Sequence, residues 1–332
     1  MIKKFTRGVL AAAAMYGMLS GSAMAEDKVV IGYFGNPTPM QVAAAEGKFK
    51  TATGWNIEWR KFSSGTDVIA AMASGDVSVA ELGSSPLAIA ASQGVELQLF
   101  MIAQVIGEAE SLIVRNGSGI EKVSQLKGKR IAVPIGSTAH FSLMGALNYA
   151  GIDEKDVTIM NMSPDQIAAA WQQKAIDAAF IWQPVQSQIL KDGSLLVGAD
   201  KTAEWGYPTF DGWVVNTKFA QKNPKSMVTF IREMDEANQA FLKNPSAWTA
   251  TSAPVKTIAA RTGAEAGQVP GILNGFTFLP ISEQVKPNWL GGSIAKAIES
   301  TAKFLKSAGR IESVASDYGR FVNIDLAKAA AQ

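Results

Sequence analysis

The sequence of 332 residues carries 31 basic and 29 acidic side chains, a single histidine and no cysteine. That excludes disulfides, zinc-thiolate sites, iron-sulfur clusters and thiol nucleophiles. Hydrophobic residues at 47% and charged residues at 18% describe a globular chain of two domains or lobes, neither disordered nor a multispanning membrane protein.

Residues 1–25 read as a cleaved secretory signal peptide. Lys3, Lys4 and Arg7 make a basic start, Gly8 to Leu19 a short apolar run, and Ala23-Met24-Ala25 a small-x-small cleavage site. The run is shorter than the roughly 20 apolar residues of a membrane span. Its removal leaves 28 basic against 29 acidic residues, a formal charge of −1. Such a chain, without a Lys/Arg stripe, has no electrostatic footprint for nucleic acid. Export without cysteine suits the periplasm of a Gram-negative bacterium.

From Lys28 onward, apolar runs alternate with helical stretches. Strands are predicted at Lys28 to Phe34, Trp55 to Phe62, Val77 to Leu82 and Leu97 to Val105. Helices are expected over Met40 to Phe49, Asp67 to Ser74 and Pro86 to Gln93, the last two closed by Gly75 and Gly94. The middle repeats the scheme: strand Arg130 to Pro134, helix Thr138 to Ala150, strand Val157 to Met162, helix Pro164 to Lys174, strand Ala178 to Trp182. A shift of 99 residues lays Met72 to Ser85 on Trp171 to Pro184 as an architectural echo. After strand Gly212 to Asn216 comes a mostly helical tail, Lys225 to Leu242, Ala247 to Thr262 and Gly292 to Ser307.

Alternation of this kind implies an α/β fold of two lobes, each a mostly parallel sheet flanked by helices. Residues 26–114 and 213–332 are assigned to lobe 1 and residues 115–212 to lobe 2. A hinge is then expected at Ser111 to Asn116 and Gly212 to Thr217, beside a central cleft.

Ligands of open parallel sheets sit at the carboxyl ends of strands, where helix N-termini present unpaired N–H groups. Gly83-Ser84-Ser85-Pro86 and Gly136-Ser137-Thr138 are suitable turns, although Ser and Thr are also ordinary helix caps. Together they suit one tetrahedral or planar anion. Neither has the spacing of a nucleotide P-loop or of a dinucleotide fingerprint. Tyr33 and Trp182 end strands and offer aromatic faces, or serve as core. Asp211, in the apolar stretch Tyr207 to Trp213, is either an ammonium partner or a hinge-loop cap. Glu108 and Glu110 precede the first crossing. The lone His140 is a satisfied helix-face histidine near the cleft, since no GxSxG elbow accompanies it. No catalytic residues, metal ligands or cofactor are indicated.

The stretches GSSPLAIAASQGVELQLF (Gly83 to Phe100), LKGKRIAVPIGSTAHFSLMGAL (Leu126 to Leu147) and DGWVV (Asp211 to Val215) resemble the nitrate, sulfonate and taurine group of periplasmic solute-binding proteins. The resemblance runs over nearly the whole mature chain. It implies a type II-like two-lobed binding protein, a monomer that closes on a small molecule and delivers it to the permease of an ABC transporter in the inner membrane. Within the group, GSTxHxS and xDxWVV point to taurine, with other alkanesulfonates or nitrate as alternatives. The sulfonate-binding turns would fall on Ser84, Ser85, Ser137 and Thr138, and the ammonium-binding carboxylate on Asp211. Enzymes of thiamin-pyrimidine synthesis share the fold, but they are cytosolic and have a cysteine-rich motif.

Overall fold

Eleven strands divide between two sheets in the computed structural model, which describes residues 28–332. The expected export signal at 1–25 lies outside them. In chain order the strands are β1 (Lys28–Tyr33), β2 (Asn56–Lys61), β3 (Val79–Gly83), β4 (Leu97–Ile106), β5 (Glu110–Arg115), β6 (Arg130–Val133), β7 (Thr158–Asn161), β8 (Ala178–Trp182), β9 (Gly193–Gly198), β10 (Phe210–Asn216) and β11 (Phe276–Thr277). The first sheet runs β2-β1-β3-β10-β4-β11, the second β7-β6-β8-β5-β9.

Each lobe has a parallel core of three strands, β2-β1-β3 and β7-β6-β8. Against it lies a strand that arrives from the other lobe. β10 pairs antiparallel with both β3 and β4, and β5 with both β8 and β9. The sheets are therefore mixed, because a strand entering across the cleft runs against the parallel set. Aligned in this way, β3 and β8 are counterparts, offset by the 99 residues seen in the sequence.

The crossings fall earlier than the assignment at 114/115 and 212/213. Ser111 to Arg115 lie inside β5 and pair with lobe 2, while Gly212 to Asn216 lie inside β10 and pair with lobe 1. Glu110–Arg115 is a buried apolar strand in its own right, ESLIVR, so it joins a sheet instead of bending. The chain crosses at residues 107–109 and 206–209.

Side-chain alternation sets the cores. In the second sheet Leu112, Ile131 and Phe180 face one cluster while Ile113, Ala132 and Ala179 face another. The first sheet is covered by the Pro224–Lys243 helix, whose buried Met227, Phe230, Ile231, Met234, Asn238 and Phe241 recur at helical spacing. The helix expected over Met40 to Phe49 is broken at Gly47, whose φ of 69° is left-handed, into Met40–Ala45 and Lys48–Thr53. The tail also adds β11, two residues beside β4.

The lobes touch away from the cleft as well. Phe304, on the Ser293–Ser307 helix of lobe 1, meets Phe141 at 5.1 Å and Tyr207 at 5.5 Å between ring centroids, both edge-on. Tyr207 in turn lies over Gly145. A Cβ there would stand 2.4 Å from the ring's attachment carbon, which cannot swing aside. Overpacking of about 1–3 kcal/mol exceeds the gain of about 1 kcal/mol in helix propensity. Gly145→Ala should therefore lower the free energy of unfolding by up to about 2 kcal/mol, read by urea denaturation.

Candidate ligand-binding site

The carboxyl ends of both parallel cores meet over a cavity of about 440 Å³, its mouth included. Each lobe contributes one carboxylate. Asp211 in β10 stands opposite Gly83, the last residue of β3, and Glu110 in β5 stands opposite Trp182, the last residue of β8. Since Gly83 and Trp182 are related by the 99-residue offset, the two acids occupy equivalent places in the two lobes.

Both acids are buried, Asp211 at 7% exposure and Glu110 at 2%. Glu110 Oε2 accepts from the Thr138 hydroxyl at 2.7 Å, whereas Oε1 has no partner. Asp211 Oδ2 accepts from the Gln104 amide at 2.8 Å and the Asn36 amide at 3.4 Å. Its Oδ1 lies toward Gly83 and Thr138, where a Cβ on Gly83 would meet both. Among the described residues, no lysine or arginine lines the cavity. Burial pushes the Glu110 carboxyl up to about 8 against the Thr138 hydrogen bond. Burial, then the charges of Glu81 and Glu110, hold Asp211 well above the usual carboxylate range. Buried acids without a counter-charge favour a ligand that brings a cation.

Neutral donors reach the cavity from two helix starts. The Ser84–Ser92 helix starts at Gly83 and the Thr138–Tyr149 helix at Ser137. First-turn N–H groups have no partner within their helix. Ser137 Oγ caps its helix by accepting from His140 N–H at 3.1 Å, which leaves the hydroxyl proton to donate. Phe34, Pro86, Ile106, Trp182 and Phe276 supply apolar wall.

Of the residues singled out in the sequence, Glu110, Ser137, Thr138, Trp182 and Asp211 line this cavity. Ser84, Ser85, Tyr33 and His140 do not. Ser84 Oγ accepts from Phe210 N–H at 3.3 Å, and Ser85 Oγ donates to the Gly136 carbonyl at 3.3 Å across the lobes. Their turn still serves the wall, through Gly83 and Pro86. Tyr33 packs on Trp59 at 5.9 Å, and Phe34 lines the cavity instead, as side chains alternate along β1. His140 lies behind the cap, its Nδ1 accepting from Gly136 N–H at 3.4 Å. Burial drives its imidazole down to about 4, so it is uncharged at neutral pH.

Sequence reasoning missed Asn36, Gln104 and Glu81. The signal for Glu81 was present: an acid inside the apolar run VSVAEL, where a buried charge needs a reason. Asn36 and Gln104 gave none, since nothing local shows which residues meet at a sheet edge.

A two-lobed α/β fold with a polar pocket at the facing strand ends defines a solute-binding protein of the periplasmic type. Comparisons agree. Residues 35–248 match the family model described as NMT1/THI5 like. The taurine-binding periplasmic protein of Escherichia coli (strain K12) is 39% identical over 96% of this chain and 97% of its own. The periplasmic aliphatic sulphonate binding protein SsuA from Escherichia coli superposes with a TM-score of 0.72 at 21% identity, over 89% of this chain and 92% of its own. SsuA from Xanthomonas axonopodis pv. citri, bound to MOPS, superposes with a TM-score of 0.71 at 21% identity, over 85% and 93%. The chain belongs to the NMT1/THI5-like family.

Glu110 carries a cost that can be measured without ligand. Its folded value of about 8 lies above the ordinary 4.5, so the native state holds the proton more tightly than the unfolded one. That contribution is full below pH 4.5 and is lost as pH rises through 8. Glu110→Gln should stabilise the empty protein at pH 9 by about 2–4 kcal/mol relative to wild type, and the gap should close near pH 4. Denaturant titrations at the two pH values read it.

Proposed function

We propose that this chain is the solute-binding component of an ABC transporter, which takes up taurine in the periplasm and delivers it to the permease. It is a binding protein, not an enzyme. The observation that carries the reading is the pair of buried acids, Asp211 and Glu110, facing each other from opposite lobes with no basic residue in the cavity wall. Taurine is a sulfonate and an ammonium group two carbons apart. The ammonium goes between the carboxylates, and the sulfonate takes the donors at Ser137, Thr138 and the two helix starts. The 39% identity to a taurine-binding periplasmic protein supports the assignment. Nitrate, sulfate and plain alkanesulfonates bring no cation and leave both acids unpaired.

Closure is a rotation of the lobes at residues 107–109 and 206–209, in a monomer. Ligand shifts that equilibrium by its differential affinity for the closed form and by no more. Residues 1–25 are the export signal, so the mature chain begins at Glu26. Mass spectrometry of periplasmic material reads that start, and a retained segment would revive an anchored protein.

Calorimetry on the mature protein with taurine, ethanesulfonate, sulfate and nitrate tests the ligand. Asp211→Asn removes the charge and keeps the shape. Taurine should lose about 2–5 kcal/mol, the usual cost of breaking a desolvated charge pair. Ethanesulfonate should bind the variant as well as the wild type or better, because the uncompensated carboxylate at the cavity wall has gone. Equal weakening of both ligands would make Asp211 a structural residue.

A further inference from the structure

Asp211 does not stand alone behind the cation subsite. The register that sets Asp211 against Gly83 and Trp213 against Glu81 puts Glu81 diagonally across from Asp211 on one face of the sheet. Gln104 of β4 adjoins Asp211 on the other side. Glu81 Oε1 accepts from the amides of Asn36 at 3.0 Å and Gln104 at 3.1 Å. These are the same two nitrogens that reach Asp211 Oδ2. Two carboxyl groups thus divide two amide donors between them, while Glu81 Oε2 accepts from Phe34 N–H at 3.1 Å.

Glu81 is 4% exposed and forms no part of the ligand cavity wall. A smaller cavity of about 260 Å³ lies on its far side, walled by uncharged groups that include Thr38, Trp213, Met234 and Asn238. The groups around the pair are Phe34 N–H and Asn36 from the loop after β1, Gln104 from β4 and Met234 and Asn238 from the Pro224–Lys243 helix. Glu110 faces it across the cleft, and none of these is basic. Lys61 packs against the outside of Gly35, at the cleft mouth.

We propose that Glu81 and Asp211 share one proton between them, so that lobe 1 offers the ligand a single negative charge. Glu81 is then a positioning residue that sets the specificity of the cation subsite. The inference rests on the reading of that subsite as a site for an ammonium group. Two carboxyls this close, out of water and without a cation, do not both ionise at neutral pH, and they titrate as a pair. Burial raises Glu81 against the hydrogen bonds from Phe34, Gln104 and Asn36, and burial followed by the charge of Glu81 raises Asp211. Acidification adds the second proton, removes the charge and weakens binding of a cationic ligand.

Carboxyl ¹³C NMR on the ligand-free mature protein, with Glu81 assigned by its loss in Glu81→Gln, reads the proton directly. At pH 7 the two carboxyls should together hold one proton, which is lost in a separate step at higher pH. Two ionised carboxyls at pH 7 in the wild type would overturn the proposal. A double-mutant cycle with taurine gives a second reading. Glu81→Gln should weaken binding about threefold in the wild type but about tenfold or more in Asp211→Asn, where Glu81 has taken over the charge. Equal factors in both backgrounds would make Glu81 merely structural. A wild type that fails to bind taurine refutes the ligand assignment, and the NMR reading of the pair stands apart from it.

Discussion

A carboxylate removed from water without a cation beside it either takes up a proton or recruits a counter-charge. Asp211 and Glu110 hold that choice open in the cleft, and the way the chain crosses between lobes is what puts them there. β10 and β5 enter their sheets from the opposite lobe, and both carry an acid at the entering end, beside the last residue of β3 or β8. The event that divides the protein into two lobes therefore also delivers one ionisable acid to each side of the gap. Any rotation at the crossings changes the distance between the two acids. Closure and cation binding thus become one free-energy term.

The anion half of the cavity works on a smaller scale. Helix N-termini contribute about 0.3–1 kcal/mol to an exposed anion and up to ~2 kcal/mol in a partly buried geometry. A hydroxyl hydrogen bond adds about 1 kcal/mol. Breaking a desolvated charge pair costs about 2–5 kcal/mol. Under the proposed reading, the cation end therefore decides which ligands are kept, and the anion end decides how they lie. This division explains why Ser84 and Ser85 can spend their hydroxyls on Phe210 N–H and Gly136 carbonyl. The backbone of their turn suffices.

The parts of this arrangement that depend on local pattern were legible in the sequence. Strand β8 falls on its predicted residues, and the 99-residue echo marks true counterparts, because apolar alternation and glycine stops act over a few residues. Asp211 was visible as an acid in apolar company. What escaped depends on contacts between distant segments. ESLIVR at β5 reads equally well as the end of lobe 1 or the start of lobe 2 until its partners β8 and β9 are known. The same ambiguity misplaced both crossings. Ser84 and Ser85 were chosen for their chemistry, but side chains on a helix's first turn point in different directions, and only their turn's neighbours Gly83 and Pro86 reach the cavity wall.

Closing the lobes also requires contacts that owe nothing to the ligand. The ion pair of Lys191 with Glu265 spans them, but both side chains are more than half exposed, and such pairs contribute little. Phe304 between Phe141 and Tyr207 is the stronger clasp, being aromatic and packed edge-on against both rings. It acts alike on every ligand and so cannot discriminate. Discrimination must come from the term that changes sign with the ligand's charge, its interaction with Asp211 and Glu110. The same term governs release. Under the proposed reading, opening returns both acids to water, where a carboxylate needs no ammonium partner, so the burial that favours a cationic group in the closed cleft ceases to hold it once the lobes part.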